Sequence, residues 1–250
     1  MMSPLRSSFA LLVLTASGIA AASPIAGQGT WEATLLARDL DRDGQADAYY
    51  DTVLNVTWLR DANASGVADW GSARNWASQL VIGGQSGWRL PITAQPDPSC
   101  SGQSNNVGSF FFGCQGGEMG HLYYVAFGNK GYWDQAGTFQ ADFGMKNTGG
   151  FINFQSGTYW TGTEFAFDVD GAWIFKTFHG GQDFDAKSAN YFAIAVHDGD
   201  VVGALPEPNT LVILLGGLGA IAAVRRKTVS QRRQWSIRTS SCSWISKERS

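Results

Sequence analysis

Tyr159-Trp-Thr-Gly-Thr-Glu-Phe165, Gly171-Ala-Trp-Ile-Phe-Lys-Thr-Phe178 and Tyr191-Phe-Ala-Ile-Ala-Val196 are three aromatic and β-branched runs separated by polar turn formers. Such runs between turns read as strands of an antiparallel sheet. Further upstream, Trp31-Glu-Ala-Thr-Leu-Leu-Ala-Arg38 reads as a first strand. Tyr49 to Trp58 alternates, so that Tyr50, Thr52, Leu54, Val56 and Trp58 share one strand face. Trp70, Ala73, Trp76, Ala77 and Leu80 fall at helical spacing, with Asp69 as N-cap and Gly83-Gly84 as the stop. A shorter helix is expected over Glu118–Phe127, with Met119, Leu122, Tyr123 and Ala126 inward. No internal repeat recurs at a fixed period. The pieces add up to an α+β domain: an antiparallel sheet with two helices and long loops.

Outside that region the two ends carry targeting patterns. In residues 1–22, Arg6 precedes the apolar run Phe9–Ala20, and Ala20-Ala21-Ala22 supplies small residues for cleavage before Ser23. That order reads as a signal peptide, the alternative being a buried N-terminal helix. At the other end, Leu205-Pro206-Glu207-Pro208 leads into the apolar stretch Thr210–Val224 and then into Arg225, Arg226 and Lys227. The stretch is shorter than the ~20 residues that span a bilayer comfortably. The basic cluster would hold it on the cytoplasmic side. Residues 23–204 form the expected ectodomain, 205–227 a short membrane helix with its flanks, and 228–250 a polar, basic extension.

Charge follows the same division. Ser23–Pro206 holds 9 Lys+Arg against 19 Asp+Glu, whereas Glu207–Ser250 holds 8 against 2. An acidic ectodomain argues against a nucleic-acid partner, which needs a basic face. Of the three cysteines, Cys100 and Cys114 are close enough to close one loop in an oxidising compartment, with two free thiols as the alternative. Cys242 lies in the tail, and no CxxC pair points to zinc.

The C-terminal order, Pro206-Glu207-Pro208, then a short apolar segment, then an Arg-rich end, resembles the PEP-CTERM sorting signal of Gram-negative bacteria. That resemblance implies export across the inner membrane, transient membrane anchoring and recognition by the exosortase protease. It then implies release to the cell surface or extracellular matrix. The chain departs from the pattern by running on past the basic cluster to Ser250. The ectodomain resembles the Lcl C-terminal domain family. The similarity is carried by Asp51–Leu59 with Asp61-Ala-Asn63, the Trp-containing helix at 70–80 and Gly87-Trp88-Arg89-Leu90-Pro91. It continues in Glu118–Tyr124, Tyr159–Glu164, Ala172–Phe175 and Ala193–Val196. The Trp88-Arg89-Leu90-Pro91 box is also similar to one in formylglycine-generating-enzyme-like domains. The resemblance implies a C-type-lectin-like fold and an adhesive or glycan-binding role, and the box continues here with Ile92 where the family has Thr.

Asp39, Asp41, Asp43 and Asp47 with Gly44 match D-x-D-x-D-G-x-x-D, which supplies oxygens to calcium. The twelfth position is Tyr50 rather than Glu, which excludes a full EF-hand. A calcium-stabilised loop and a solvated acidic turn both remain open. Asp168-Val-Asp170 and Asp198-Gly-Asp200 read as turns before metal sites. Arg89 is expected to pair with a carboxylate, Glu118 or Glu164. Tyr132, Trp133 and Tyr159 are the candidate platforms for sugar stacking.

No G-x-S-x-G, P-loop or H-E-x-x-H motif is present, and His121, His179 and His197 lack ligand-spaced partners. The oxidase chemistry of the formylglycine-generating relatives needs a late pair of cysteines, which this chain lacks. The expectation is a non-enzymatic, exported module that binds exopolysaccharide or another glycan. The alternatives are a structural matrix protein and a carbohydrate-active enzyme using Glu118 or Glu164.

Overall fold

The computed structural model describes residues 24–202. The segment 1–22, the sorting residues Pro206, Glu207 and Pro208, the anchor Arg225, Arg226 and Lys227, and the 228–250 extension lie outside the described residues. Among the described residues no helix is long and apolar enough to cross a membrane.

The chain is mostly antiparallel β-sheet with few, short helices. A helical turn α1 (Trp31–Thr34) runs into β1 (Leu35–Arg38), followed by β2 (Ala48–Asp51), β3 (Val56–Leu59) and β4 (Val67–Ala68). Helix α2 (Trp70–Gln79) precedes β5 (Trp88–Arg89) and the hairpin β6 (Gly102–Ser104) and β7 (Gly108–Phe110). Helix α3 (Glu118–His121) continues as a π-helical turn, Leu122–Ala126. The last strands are β8 (Thr158–Glu164), β9 (Gly171–Lys176), β10 (Gly181–Ala186), β11 (Tyr191–Phe192) and β12 (Val196–Asp198). One sheet has the order β1-β2-β3-β12-β5 and the other β10-β9-β8-β11-β4. All pairings within these sheets are antiparallel except β11 with β8, which are parallel at Phe192 and Tyr159.

The expected single sheet is therefore two sheets, and one strand run is divided between them. Tyr191–Phe192 pairs in the second sheet and Val196–Asp198 in the first, with Ala193, Ile194 and Ala195 fully buried between. Two small residues and one aliphatic let the backbone pass through the interior, where the Ala195 carbonyl still accepts the Leu59 N–H at 2.9 Å. The run Tyr49–Trp58 also divides. The Asp51 carboxylate caps the N–H groups of Val53 and Leu54 at 2.9 and 3.1 Å, and Asn55 takes φ 55°. Asparagine tolerates that left-handed conformation. The chain reverses there, so the shared strand face from Tyr50 to Trp58 does not exist. The expected first strand begins only at Leu35, because residues 31–34 form a helical turn.

Helix α2 forms as its spacing predicts. The Asp69 carboxylate accepts from the Ser72 N–H at 2.9 Å and from its hydroxyl at 2.8 Å, which holds that carboxyl below its ordinary pKa. Trp70, Ala73 and Ala77 are buried, and Trp76 and Leu80 pack half-buried against the same core. The helix ends at Leu80, before Gly83-Gly84, which instead form a turn at positive φ. A Cβ on Gly83 would lie 2.3 Å from the Leu40 carbonyl oxygen, so the turn admits only glycine.

Two apolar clusters result. One gathers Trp58, Leu122, Phe127, Tyr159, Phe175 and Ile194; the other gathers Trp70, Trp88, Leu90, Trp160 and Ile174. The indole N–H groups of Trp70, Trp88 and Trp160 donate to the carbonyls of Thr161, Gln85 and Ala68, so these rings are buried with their polar edges satisfied.

Candidate functional site

Against these cores stands an aromatic surface that the hydrophobic effect alone would have buried. It starts at the β6–β7 hairpin, whose last strand runs into Phe110-Phe111-Phe112. Phe111 takes φ 74° and is about half exposed (51%). A bulky side chain rarely adopts that backbone conformation. Reciprocal hydrogen bonds with Gln182 on β10, at 2.8 and 2.7 Å, hold it there.

The second contribution is the loop from Gly131 to Gly144. Tyr132 N–H donates to the His179 carbonyl at 2.8 Å and Gly144 N–H to the Lys130 carbonyl at 3.0 Å, which closes the loop on itself. Three rings pack edge-on around Tyr132: Trp133 at 5.1 Å, Phe139 at 5.0 Å and Phe143 at 4.7 Å. Phe112 joins the two halves, 6.4 Å from both Phe111 and Tyr132 and 5.4 Å from His179. Phe111, Trp133, Phe139 and Phe178 all stand exposed on this surface.

Beside Trp133 opens a cleft of about 470 Å³ lined by Gln115, Lys130, Asp134, Gln135 and Gln140. The Tyr124 hydroxyl lies among its lining residues; it accepts from the Gly113 N–H at 3.0 Å and donates to the Gly180 carbonyl. Burial pushes that phenol up to about 12, so it stays protonated. A Cβ on Gly131 or Gly180 would meet the hydroxyl at 2.6 Å, which explains glycine at both positions. The NH2 groups of Gln135 and Gln140 donate to the Ser99 and Gly131 carbonyls. Their side-chain oxygens are left as acceptors for hydroxyl groups. Lys130, the only cation among the lining residues, is paired with Asp142 at 2.8 Å. This pairing holds the Asp142 carboxyl below its ordinary range.

Cys100 and Cys114 are joined by a disulfide, as expected. Gly113 and Gln115, the neighbours of Cys114, both line the cleft, so the bridge fixes one of its walls. Helix α3 abuts the same segment: a Cβ on Gly120 would fall 1.9 Å from the Cys114 carbonyl oxygen. Asp97 lies within ligand distance of both sulfurs, but a disulfide cannot ligate as thiolates do.

The other sequence-selected residues fall elsewhere. Tyr159, an expected sugar platform, is fully buried, and its hydroxyl accepts from the Gln155 N–H at 2.8 Å. Trp133 is exposed as expected, and Tyr132 is half-buried beneath it. In the Trp88-Arg89-Leu90-Pro91 box, Trp88, Leu90 and Pro91 are buried. Arg89 binds Glu118 bidentately, with both bonds at 2.8 Å, and reaches Asp198 at 2.5 Å. These carboxylates raise the guanidinium pKa despite its burial. Glu118 also accepts the Ile92 N–H at 2.6 Å. Glu164 lies instead near Lys187 at 3.5 Å and Arg74 at 3.9 Å. A second cleft of about 560 Å³ runs between this box and the Arg74, Asn75 and Ser78 face of α2.

In the acidic loop, carboxylate oxygens of Asp39, Asp41 and Asp43 converge to within 4.8 Å of one another at the surface. Asp47 is not part of that group: its carboxylate accepts the N–H groups of Leu40 and Asp41 at 2.7 and 3.2 Å. The three that converge also cap backbone N–H groups: Asp39 those of Arg42 and Gly44 at 2.6 and 2.9 Å, Asp41 that of Asp43 at 3.0 Å and Asp43 that of Gln45 at 2.8 Å. Asp168 lies in a turn as expected, accepting the Asp170 N–H at 3.0 Å, whereas Asp198 ends β12 and pairs with Arg89, an ion pair the sequence reading did not anticipate.

Sequence reasoning missed Phe111, Phe112, Phe139, Phe143 and His179. The one usable signal was the triple Phe110-Phe111-Phe112 between Ser109 and Gly113, a polar setting that offers no strand or helix face to bury three consecutive rings. No family model, curated protein or solved structure matches the chain.

Proposed function

We propose that this chain is an exported, non-enzymatic glycan-binding module, with Trp133 as the stacking platform and the neighbouring cleft as the hydroxyl-reading site. The observation that carries the reading is the exposed indole of Trp133 on the rim of a cleft lined by Gln115, Gln135 and Gln140. A pyranose presents an apolar C–H face to a ring and equatorial hydroxyls to carboxamides around its edge. The proposal includes a C-type-lectin-like scaffold, since Gly87–Pro91 and its partner segments carry that resemblance. It includes export through the signal peptide and sorting by exosortase at Pro206-Glu207-Pro208, with the cell surface or matrix as destination. A calcium ion on Asp39, Asp41 and Asp43 would serve as a stabilising ion in the β1–β2 loop. It is separate from the glycan site.

A catalytic reading through Glu118 is disfavoured because both its oxygens accept charge-assisted bonds from Arg89. The test is titration of the full-length chain against a panel of glycans and exopolysaccharides. Trp133→Ala should weaken binding at least about tenfold while leaving the melting temperature unchanged. Unaltered binding by that variant rules out this site. In parallel, calcium should raise the melting temperature of the wild type and EDTA should reverse it, with Asp41→Asn removing the effect.

A further inference from the structure

Exposure of one indole would suit a single terminal sugar, yet the aromatic surface extends well beyond the cleft. From Trp133 the ring contacts run through Tyr132 and Phe112 to Phe111 in steps of 5.1, 6.4 and 6.4 Å, with Trp133 edge-on to Tyr132 at 78°, Tyr132 tilted by 35° from Phe112, and Phe112 within 25° of parallel to Phe111. Phe111 and Trp133 are exposed at the two ends, and Phe112 and Tyr132 are half-buried between them. Phe139 and Phe178 widen the surface on either flank, Phe139 at 6.0 Å from Trp133 and Phe178 at 4.1 Å from His179. The positive φ of Phe111 is maintained by two backbone hydrogen bonds that set its ring at the surface instead of in the core. Its ring keeps contacts only with its chain neighbours Phe110 and Phe112 among the aromatic rings, at 4.4 and 6.4 Å, so the strained backbone leaves about half of the side chain displayed.

Charge defines what can lie on this surface. The cation of the cleft, Lys130, is neutralised by Asp142, and Asp134 adds a carboxylate whose Oδ1 caps the Ala136 and Thr138 N–H groups. The ectodomain carries an excess of ten acidic side chains. A polyanionic chain would be repelled at long range and would find no unpaired cation among the lining residues. A neutral chain meets ring faces and hydroxyl acceptors and bears no such cost.

We infer that the ligand is a neutral, extended, β-linked polysaccharide laid along the strip from Trp133 to Phe111, so that several consecutive sugars are bound. This rests on the glycan-binding reading above and adds to it the charge, length and direction of the ligand. Equatorial β-linked hexoses offer flat apolar faces at separate units along one chain, which the exposed rings at the two ends of the strip, Trp133 and Phe111, can stack against; axial-rich or charged sugars do not.

The experiment is isothermal titration of the full-length chain with cello-, manno- and laminari-oligosaccharide ladders and with a polyuronate, at low and high salt. Affinity for at least one neutral ladder should rise with length by about threefold to tenfold per ring engaged, and should be insensitive to salt. Phe111→Ala should flatten that rise and leave the disaccharide affinity unchanged. Phe111→Leu, which keeps an apolar side chain but removes the flat ring, should cause the same loss with the melting temperature unchanged. Equal affinity for short and long oligomers, or preference for the polyuronate that fades with salt, overturns this inference and leaves the glycan-binding reading standing. No binding to any glycan, with Trp133→Ala silent, overturns both. A self-association that Phe139→Ala dissolves would also overturn it, giving the strip to a second copy of the chain.

Discussion

Arg89 shows how far a single residue can be read before its neighbours are known. Its place in Gly87-Trp88-Arg89-Leu90-Pro91 marked it as a structural cation, and the choice of carboxylate lay between Glu118 and Glu164. The structure selects Glu118, whose two oxygens match the guanidinium fork, and adds Asp198, which no local pattern indicated. Sequence spacing cannot decide this, because β5 and β12 become neighbours only through sheet pairing. The Glu118 side chain is 13% exposed. Arg89→Ala should therefore destabilise the fold by about 3 kcal/mol, most of it from leaving Glu118 unpaired. Chemical denaturation measures this directly. Arg74→Ala, removing an exposed cation 3.9 Å from Glu164 and 4.5 Å over the Trp70 ring, should cost only about 1 kcal/mol.

Two histidines give the fold a pH dependence with a definite sign. Burial lowers the pKa of His121, with Asp51 opposing, and burial followed by Lys176 lowers that of His179. The Nδ1 of His179 accepts the Gly181 N–H at 3.0 Å, which only a neutral ring can do, and the Nε2 of His121 is buried without a partner. The unfolded chain binds protons at about pH 6.5 that the folded chain does not. Stability from these groups is therefore fully present above that pH and is lost as pH falls below it toward the lowered folded values. Melts across pH 8 to 5 should show this decline, and His121→Gln with His179→Gln should flatten it. An unchanged slope in the double variant would assign the decline to carboxylates instead.

At the scale of elements, the sequence revealed what local chemistry controls. The Asp69 cap, the apolar stripe of α2 and the strands β8 and β9 all form near their expected places. The misread elements were those whose fate a distant partner sets. Tyr49–Trp58 alternates as a strand should, but an aspartate cap at Asp51 and a left-handed Asn55 reverse it. The stretch Tyr191–Val196 is apolar enough for one buried strand, yet it serves two sheets. Glu118–Phe127 is helical as expected, but its second half is wound as a π-turn. The disulfide was legible because Cys100 and Cys114 lie only 14 residues apart and no CxxC pair offered them another use. Its role in fixing the Gly113–Gln115 wall was not. Replacing Cys100 and Cys114 by serine together should lower stability by about 3 kcal/mol, by the loop-closure argument for a segment of this length. Glycan affinity should fall further than melting temperature alone explains, since the wall moves. Equal affinity in the serine double variant would detach the bridge from the site.

Among the described residues, two sheets and two apolar clusters form the frame; between β5 and β8, α3 and its π-turn bury Leu122 and Phe127 in it, while the β6–β7 hairpin and the 131–144 loop carry the displayed rings. That division explains why the candidate site was only partly legible. Trp133 and Tyr132 could be suspected from composition, but Tyr159 in the same class proved to be core. Ring exposure is decided by the fold as a whole, and no local signal separates a core ring from a displayed one where 13% of residues are aromatic. The acidic balance, in contrast, was legible from the start, where it argued against a nucleic-acid partner.

Trp133 and its cleft carry the proposed glycan site. The most direct test is titration of wild-type and Trp133→Ala full-length chains against the neutral oligosaccharide ladders, with melting temperature recorded for both. The account predicts saturable wild-type binding that Trp133→Ala reduces at least about tenfold with its melting temperature intact. Binding of equal strength in the two proteins, or no binding by the wild type to any glycan, would contradict it.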